Sequence, residues 1–416
     1  MVDLSVDFAG LGLKNPIVSA ASSLGNHLDK LKRLEAAGVG AVTTKLISSA
    51  VQPPEHEFPY RCAVAKGGWL LMGDENLDLE YGVSLVRAAK KALKIPVIAN
   101  FVGVEANVDI WVDNARALEK AGADALEMDL YCPMGGPGTS AEHGDGGHGY
   151  TSICAYPEAL GRVVKALVDS IKVPIIPKIN PAVASLLTVA SACRDNGAEF
   201  LTMSNVLMGN PGVDIYDGGK SLIPHANTVV GMPYQGAYLF PMHNQNLAVL
   251  KCTYGESLRI ASGGGIFTWE EIVQRIMLGA HTVQLCSALI QNGVGVVRHC
   301  LNGLQQYLQE FGHKSCDDIR GISLSRIGLR GEASLQPATA RVKSPVNCLT
   351  CADKCVEKVS ADCLAMSMGG DGLPSIDSAK CTGCGWCLWH CGSEAIELVP
   401  GKAFVDIRRV QPTTVV

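Results

Sequence analysis

Eight cysteines fall between Cys348 and Cys391, and their spacing is that of ligands rather than of core residues. The second group reads Cys381-x2-Cys384-x2-Cys387-x3-Cys391, a close run in which three thiolates can cap one face of a [4Fe-4S] cube while the fourth reaches another cluster. The first group, Cys348-x2-Cys351-x3-Cys355-x7-Cys363, is a looser version of the same arrangement. This pattern assigns Cys348, Cys351, Cys355 and Cys391 to one cluster, and Cys363, Cys381, Cys384 and Cys387 to the other. Two tetrahedral zinc sites of four thiolates each are the alternative. Two clusters about 10 Å apart form a wire for single electrons, useful only where the same protein stores two, and that points to a flavin.

A second set of chemistry-bearing residues stands at the ends of apolar runs. Ile260-Ala-Ser-Gly-Gly-Gly-Ile266 precedes an amphipathic stretch from Trp269 to Gly279, so the N–H groups of Gly263, Gly264 and Gly265 can face an anion near a helix start. A second such loop follows at Cys286-Ser287-Ala288. Tight turns alone would also explain these glycines. Lys45 and Lys178 each close an apolar run, and a buried ammonium there needs a partner, either a carboxylate or the electron-rich edge of a reduced flavin. The run Glu127-Met-Asp129-Leu-Tyr131-Cys132-Pro133 opens into a Gly-rich stretch, where a partly exposed thiol can give or take a proton and a buried one would be inert.

The elements that must hold these residues form a repeat. From Asn15 to about Phe311 an apolar β-branched run, a loop, an amphipathic stretch and a Gly recur, with runs at Pro16 to Ala20, Gly40 to Thr44, Val97 to Phe101, Ala125 to Leu130, Ile175 to Ile179, Phe200 to Met203, Leu258 to Ala261 and Thr282 to Leu285. Gly38, Gly122, Gly197 and Gly279 sit where a helix ends in a left-handed cap. Eight buried strands each followed by a helix predict an α/β fold, a closed (β/α)8 TIM barrel over 1–315, with a doubly wound open sheet as the alternative. Residues 316–345 read as a linker, 346–400 as a 2[4Fe-4S] ferredoxin-like domain and 401–416 as a tail. In a barrel the site lies at the C-terminal strand ends, and two inserts there, Met134 to Thr151 and Gly209 to Tyr238, read as lids.

Composition excludes several classes. With 416 residues, 47% hydrophobic and 18% charged, the chain is neither disordered nor a coiled coil. Net charge is -5 with scattered Lys and Arg, so no nucleic-acid or anionic-membrane partner is expected. The absence of an apolar leader or an 18-residue apolar run predicts a cytoplasmic protein. The cysteines outside the cluster (Cys62, Cys132, Cys154, Cys193, Cys252, Cys286, Cys300 and Cys316) read mostly as small buried hydrophobes. Gly144-Asp-Gly-Gly-His-Gly149 matches a dinucleotide fingerprint but neither follows a strand nor opens a helix, so His143 and His148 read as part of a solvated lid, and His243, His281 and His299 as structural.

Together these pieces resemble a known family. The cysteine module resembles a bacterial two-cluster ferredoxin, with Gly392 where Pro is usual and one extra residue before Cys355. Asn15-Pro16, Ala20-Ala21, Lys45, Met72-Gly73-x-x-Asn76, Glu127-x-x-x-x-Cys132-Pro133, Lys178, Ser204-Asn205, Gly263 to Ile266 and Gln284-x-Cys-Ser-Ala288 resemble class 1 dihydroorotate dehydrogenases. With the cysteine module added, the order is similar to the C-terminal part of dihydropyrimidine dehydrogenase and its bacterial PreA-type subunit. The resemblance implies FMN and two [4Fe-4S] clusters. It places Ala20, Ala21, Lys45, Asn100, Lys178, Ser204, Gly263, Gly264, Gly265, Cys286 and Ser287 at the flavin, Asn76, Asp129, Tyr131 and Asn205 at the substrate, and Cys132 as general acid. It implies reduction or formation of a ring C=C bond in a small molecule, with electrons from an FAD and NAD(P)H-binding flavoprotein subunit or from ferredoxin, in a homo- or hetero-oligomer. Asp129 replaces the family's Asn and Tyr131 its Ser, and an ionised Asp only accepts hydrogen bonds, which favours a substrate with N–H donors or a positive charge over uracil. A non-pyrimidine substrate, or an electron-transfer role with no substrate of its own, are the competing readings.

Overall fold

A β-branched run apolar on both faces is stable only in a sheet covered on both sides, and the eight runs find that environment in one another. In the computed structural model, the residues described are 2–49, 60–64, 68–72, 76–104, 106–130, 153–180, 183, 185–222, 232–328, 338–349, 351 and 355–399. The runs become strands β1 (Ile17–Ser19), β2 (Ala41–Thr43), β3 (Val97–Phe101), β4 (Ala125–Asp129), β5 (Ile175–Ile179), β6 (Phe200–Met203), β7 (Arg259–Ser262) and β8 (Thr282–Leu285). Each is parallel to the next, and β8 returns to β1 with Val283 opposite Ile17 and Leu285 opposite Ser19. That last pairing closes the barrel and excludes the open sheet.

Helices follow the strands in turn: α1 (Leu28–Ala37), α2 (Leu79–Ala92), α3 (Val108–Ala121), α4 (Pro157–Ser170), α5 (Leu186–Arg194), α6 (Phe240–Tyr254), α7 (Trp269–Met277), α8 (Ser287–Asn292) and α9 (Val296–Glu310). Their apolar faces cover the outside of the barrel, as Leu31 and Leu34 of α1 and Leu160, Val163 and Leu167 of α4 do, and join one core with the strands. Gly38 and Gly122 end α1 and α3 at φ 109° and 100°, a left-handed conformation that L side chains resist, and the chain turns into the next strand. At the start of α7 the Thr268 hydroxyl and the Glu271 carboxylate cap each other's backbone amides.

Two stretches differ from the sequence reading. Of the two inserts, 134–151 lies outside the described residues. In the other, Leu207–Gly209 and Met232–Gly236 join Gly68–Met72 and Tyr60–Val64 in a four-stranded antiparallel sheet, a pairing with an early segment that local pattern does not announce. The linker over 316–345 is corrected at both ends. Cys316 and Ile319 are buried in the barrel core and Ser315 bridges to Asp3, while Thr339–Val342 pairs antiparallel with Ile396–Val399 in the second unit. By its contacts the chain divides into Met1–Leu329 and Arg330–Val416. The second unit adds a hairpin of Met366–Met368 with Pro374–Ile376 and short helices at Cys355–Val359 and Trp386–Trp389, packed on Val356, Val359, Ile396 and Leu398. No described helix is long and apolar enough to cross a membrane.

Candidate active site

The C-terminal half of the barrel interior is organised by one carboxylate. Glu127 of β4 is 1% exposed and accepts hydrogen bonds from Asn100 Nδ2 of β3 at 2.8 Å, Thr202 Oγ1 of β6 at 2.8 Å and Gln284 Nε2 of β8 at 2.6 Å. Lys178 of β5 stands 3.4 Å away, so residues from four other strands converge on it. A buried anion survives only when its lone pairs are met in this way.

Lys178 is held between two acids, with Asp129 Oδ2 of β4 at 3.8 Å from its ammonium. Burial pulls the Lys178 pKa down, but the charges of Glu127 and Asp129 and a smaller contribution from Cys286 outweigh it, and the net shift is upward. The side chain is therefore a permanent cation. Asn205, just beyond β6, donates to Asp129 Oδ1 at 3.5 Å while its own Oδ1 accepts the Val206 amide at 2.9 Å. Its φ of 147° is a left-handed conformation stabilised by that local bond. Asn180, at the end of β5, fixes the same loop by donating to the Val206 carbonyl at 2.8 Å.

Beyond β7 and β8 the loops are packed too tightly for side chains. A Cβ on Gly263 would lie 2.4 Å from Ser204 Oγ, and one on Gly264 would lie 2.2 Å from the His243 ring, with Gly264 and Gly265 at φ 82° and 74°. Arg275 of α7 lies completely buried against the carbonyls of this loop. His243 of α6 is also buried, and burial, then the Arg275 charge, pull its pKa down to about 3. At the β8 loop, Ser287 Oγ accepts from the Trp69 indole at 3.3 Å and Cys286 lies 3.8 Å from Gln235 Oε1, so the four-stranded sheet supplies two side chains to the same region.

These loops surround an open cavity of about 520 Å3. Of the residues singled out in the sequence, Ala20, Ala21, Lys178, Ser204, Gly264, Gly265, Cys286, Ser287 and Asn205 line it. Gly263 abuts Ser204, Asn100 reaches the site through Glu127, and Asp129 through Lys178 and Asn205. Lys45 and Asn76 are half-buried and are not among its lining residues. Tyr131 and Cys132 lie outside the described residues. Sequence reasoning missed Thr202, Arg275, Trp69 and Gln235 and read His243 as structural; Arg275 carries no local signal, since it reads as the polar face of an amphipathic helix.

In the second unit the cysteines gather by fours. Burial, then Cys391, Cys348 and Cys351, push the Cys355 thiol up, and Cys348 feels Cys391 and Cys351 in the same way. Burial, then Cys381, Cys384 and more weakly Cys363, push Cys387 up to about 11. Cys363, Cys381, Cys384 and Cys387 share the lining of an open cavity of about 690 Å3. Backbone amides already point at two of the sulfurs, Ala340 N at 3.3 Å from Cys381 and Ala395 N at 3.1 Å from Cys391.

Comparison with known proteins gives two family matches: a dihydroorotate dehydrogenase model over residues 3–308 and a 4Fe-4S binding domain model over 374–397. The NAD-dependent dihydropyrimidine dehydrogenase subunit PreA of Escherichia coli K12 is 24% identical over 408 residues, covering 95% of this chain and 87% of its own. The catalytic subunits of dihydroorotate dehydrogenase B (NAD(+)) from Methanothermobacter thermautotrophicus and Pyrococcus abyssi are 27% and 29% identical, covering 77% of this chain and 98% and 99% of their own. The former relative therefore spans both units and the latter two the barrel.

Proposed function

The chain belongs to the dihydroorotate dehydrogenase family, and from that premise we propose that it is an FMN and iron–sulfur oxidoreductase that reduces or forms a C=C bond in a small donor-rich heterocycle. The observation that carries this reading is the barrel-mouth cavity, which joins a Gly-rich anion loop to a buried lysine and a ring of amides. The residues fit a flavin phosphate. Gly264 and Gly265, with no side chains and at positive φ, line the cavity, and Gln284 Oε1, also in the lining, is a buried acceptor with no partner among the described residues, suited to an N–H of the flavin ring and not to its phosphate. Ala20, Ala21, Ser204, Gly263, Gly264, Gly265, Cys286 and Ser287 would hold the flavin, with Lys178 as the fixed cation beside it and Asn100 steadying the site through Glu127. Lys45 and Asn76 keep their assignments to flavin and substrate by family position.

Bound FMN supplies a two-electron hydride exchange with one ring carbon. Cys132, three residues beyond β4, gives the proton to the neighbouring carbon on reduction and takes it on oxidation. Asp129, Asn205 and Tyr131 meet the substrate. Because Lys178 stands 3.8 Å from Asp129, the carboxylate already has its counter-charge, which favours a neutral ring presenting N–H donors over a cationic one. The two cysteine quartets suit two [4Fe-4S] clusters: Cys363, Cys381, Cys384 and Cys387 line one open cavity, and Cys348, Cys351 and Cys391 are the thiols whose charge Cys355 feels. Electrons then come from a partner, an FAD and NAD(P)H-binding flavoprotein or a ferredoxin.

Cys132→Ala tests the acid role. Turnover falls by about a hundredfold or more while dithionite still reduces flavin and clusters. Retained turnover would instead favour the electron-transfer reading.

A further inference from the structure

Arg275 carries a buried charge with no anion bonded to it among the described residues. It is 0% exposed, and each of its hydrogen bonds goes to a neutral oxygen: Nη1 to Ser262 Oγ at 2.8 Å and to the Gly263 carbonyl at 3.1 Å, Nη2 to the Gly264 carbonyl at 2.8 Å and to the Phe240 carbonyl at 3.1 Å. Its Nε has no partner among the described residues. Glu271, the acid whose charge it feels, is bonded to the amides of Phe267 at 2.6 Å and Thr268 at 3.0 Å. His243, packed on Gly264, is held neutral by burial and by Arg275 itself and supplies no charge of either sign.

Leaving a buried cation uncompensated is strongly destabilising. The position of the guanidinium shows where compensation can come from. In a planar trans peptide the C=O and the following N–H point in opposite directions. Carbonyls of Gly263 and Gly264 turned toward Arg275 therefore turn the amides of Gly264 and Gly265 away from it, and Gly264 and Gly265 line the barrel cavity. One side chain thus fixes the donor face of the loop and sets a positive charge behind it.

We infer that Arg275 is the positioning residue for a phosphate monoester dianion at this loop, supplying charge through the backbone it holds without touching the ligand. The inference rests on the FMN reading and goes beyond it, because it assigns discrimination between FMN and riboflavin, which lacks the phosphate, to this residue of α7.

The experiment measures binding of FMN and of riboflavin to the flavin-free full chain by quenching of flavin fluorescence. The parent protein prefers FMN. Arg275→Gln reduces that preference by about tenfold or more with riboflavin affinity within about threefold of the parent, whereas Arg275→Lys, which keeps the charge, stays within about threefold in both. A Gln variant with the parent's preference, or a Lys variant that falls as far as Gln, overturns the inference. A parent that binds riboflavin as tightly as FMN overturns it while leaving a flavin site intact, and a parent that binds neither overturns the FMN reading as well. Where Arg275→Gln does not fold, the flavin-free parent answers: inorganic phosphate raises its Tm and competes with FMN but not with riboflavin, and no effect of phosphate contradicts the inference.

Discussion

Glu127 and Asp129 are two acids on one strand with different tasks. Glu127 gathers Asn100, Thr202 and Gln284 as well as Lys178, so Glu127→Ala leaves the buried ammonium with Asp129 alone and strands three amide or hydroxyl donors. Its cost in chemical denaturation is expected at about 3–5 kcal/mol. Asp129 stands 3.8 Å from the same lysine, and Asp129→Asn replaces an acceptor by a group that also donates. We expect that variant to fold and to shift relative turnover toward uracil, with its carbonyl acceptors, by about tenfold against an amino-substituted analogue. Unchanged relative rates would remove Asp129 from specificity. His243 gives a further prediction at this scale. Its pKa is about 3 when folded against 6.5 ordinarily, so below pH 6.5 the unfolded chain binds a proton that the folded one refuses. Its contribution is complete above pH 6.5 and is lost as pH falls toward 3, at up to about 1.4 kcal/mol per pH unit. Denaturation of the parent against His243→Gln at pH 7, 6 and 5 measures this, and the parent should weaken faster.

At the scale of elements, the loop after β7 is set by what lies on each side of it. Gly264→Ala places a Cβ against the His243 ring at φ 82°, with strain and overlap together, and is expected to lose flavin before it loses the barrel. The strands were legible because each lies in a short, largely apolar run followed by an amphipathic stretch, and the helix ends because Gly38 and Gly122 stand where a left-handed cap is required. The convergence on Glu127 was not: Asn100, Thr202 and Gln284 lie 27, 75 and 157 residues from it, and only closure of the barrel brings them together. Arg275 reads as the polar face of an amphipathic helix until α7 is seen to pack beneath its own loop. The sheet of Gly68–Met72 with Met232–Gly236 brings Trp69 to Ser287, 218 residues away in the chain, which no local periodicity encodes. Cys316 and Ile319 were invisible as core for a related reason, since two isolated apolar residues carry no period.

For the molecule as a whole, the two units have separate cores, and in the second of them the cysteines are part of the packing, with Cys387 and Cys391 buried among Val359, Ile396 and Leu398. Loss of iron should therefore unfold residues 338–399 while the thermal transition of the barrel moves little, which differential scanning calorimetry before and after anaerobic chelation would resolve. Simultaneous loss of both transitions would contradict separate cores. The two family matches fall on the barrel and on the cysteine module, and the alignment with PreA runs over 95% of the chain, through both. The most direct test of the central claim is anaerobic: reduce the purified protein with dithionite, add uracil, thymine or amino-substituted unsaturated rings, and follow the flavin absorbance. Reoxidation of the flavin by such a ring, with its saturated product formed in step, is the result expected. A reduced flavin that no such ring reoxidises, while a protein electron acceptor does, would contradict a substrate site in this barrel.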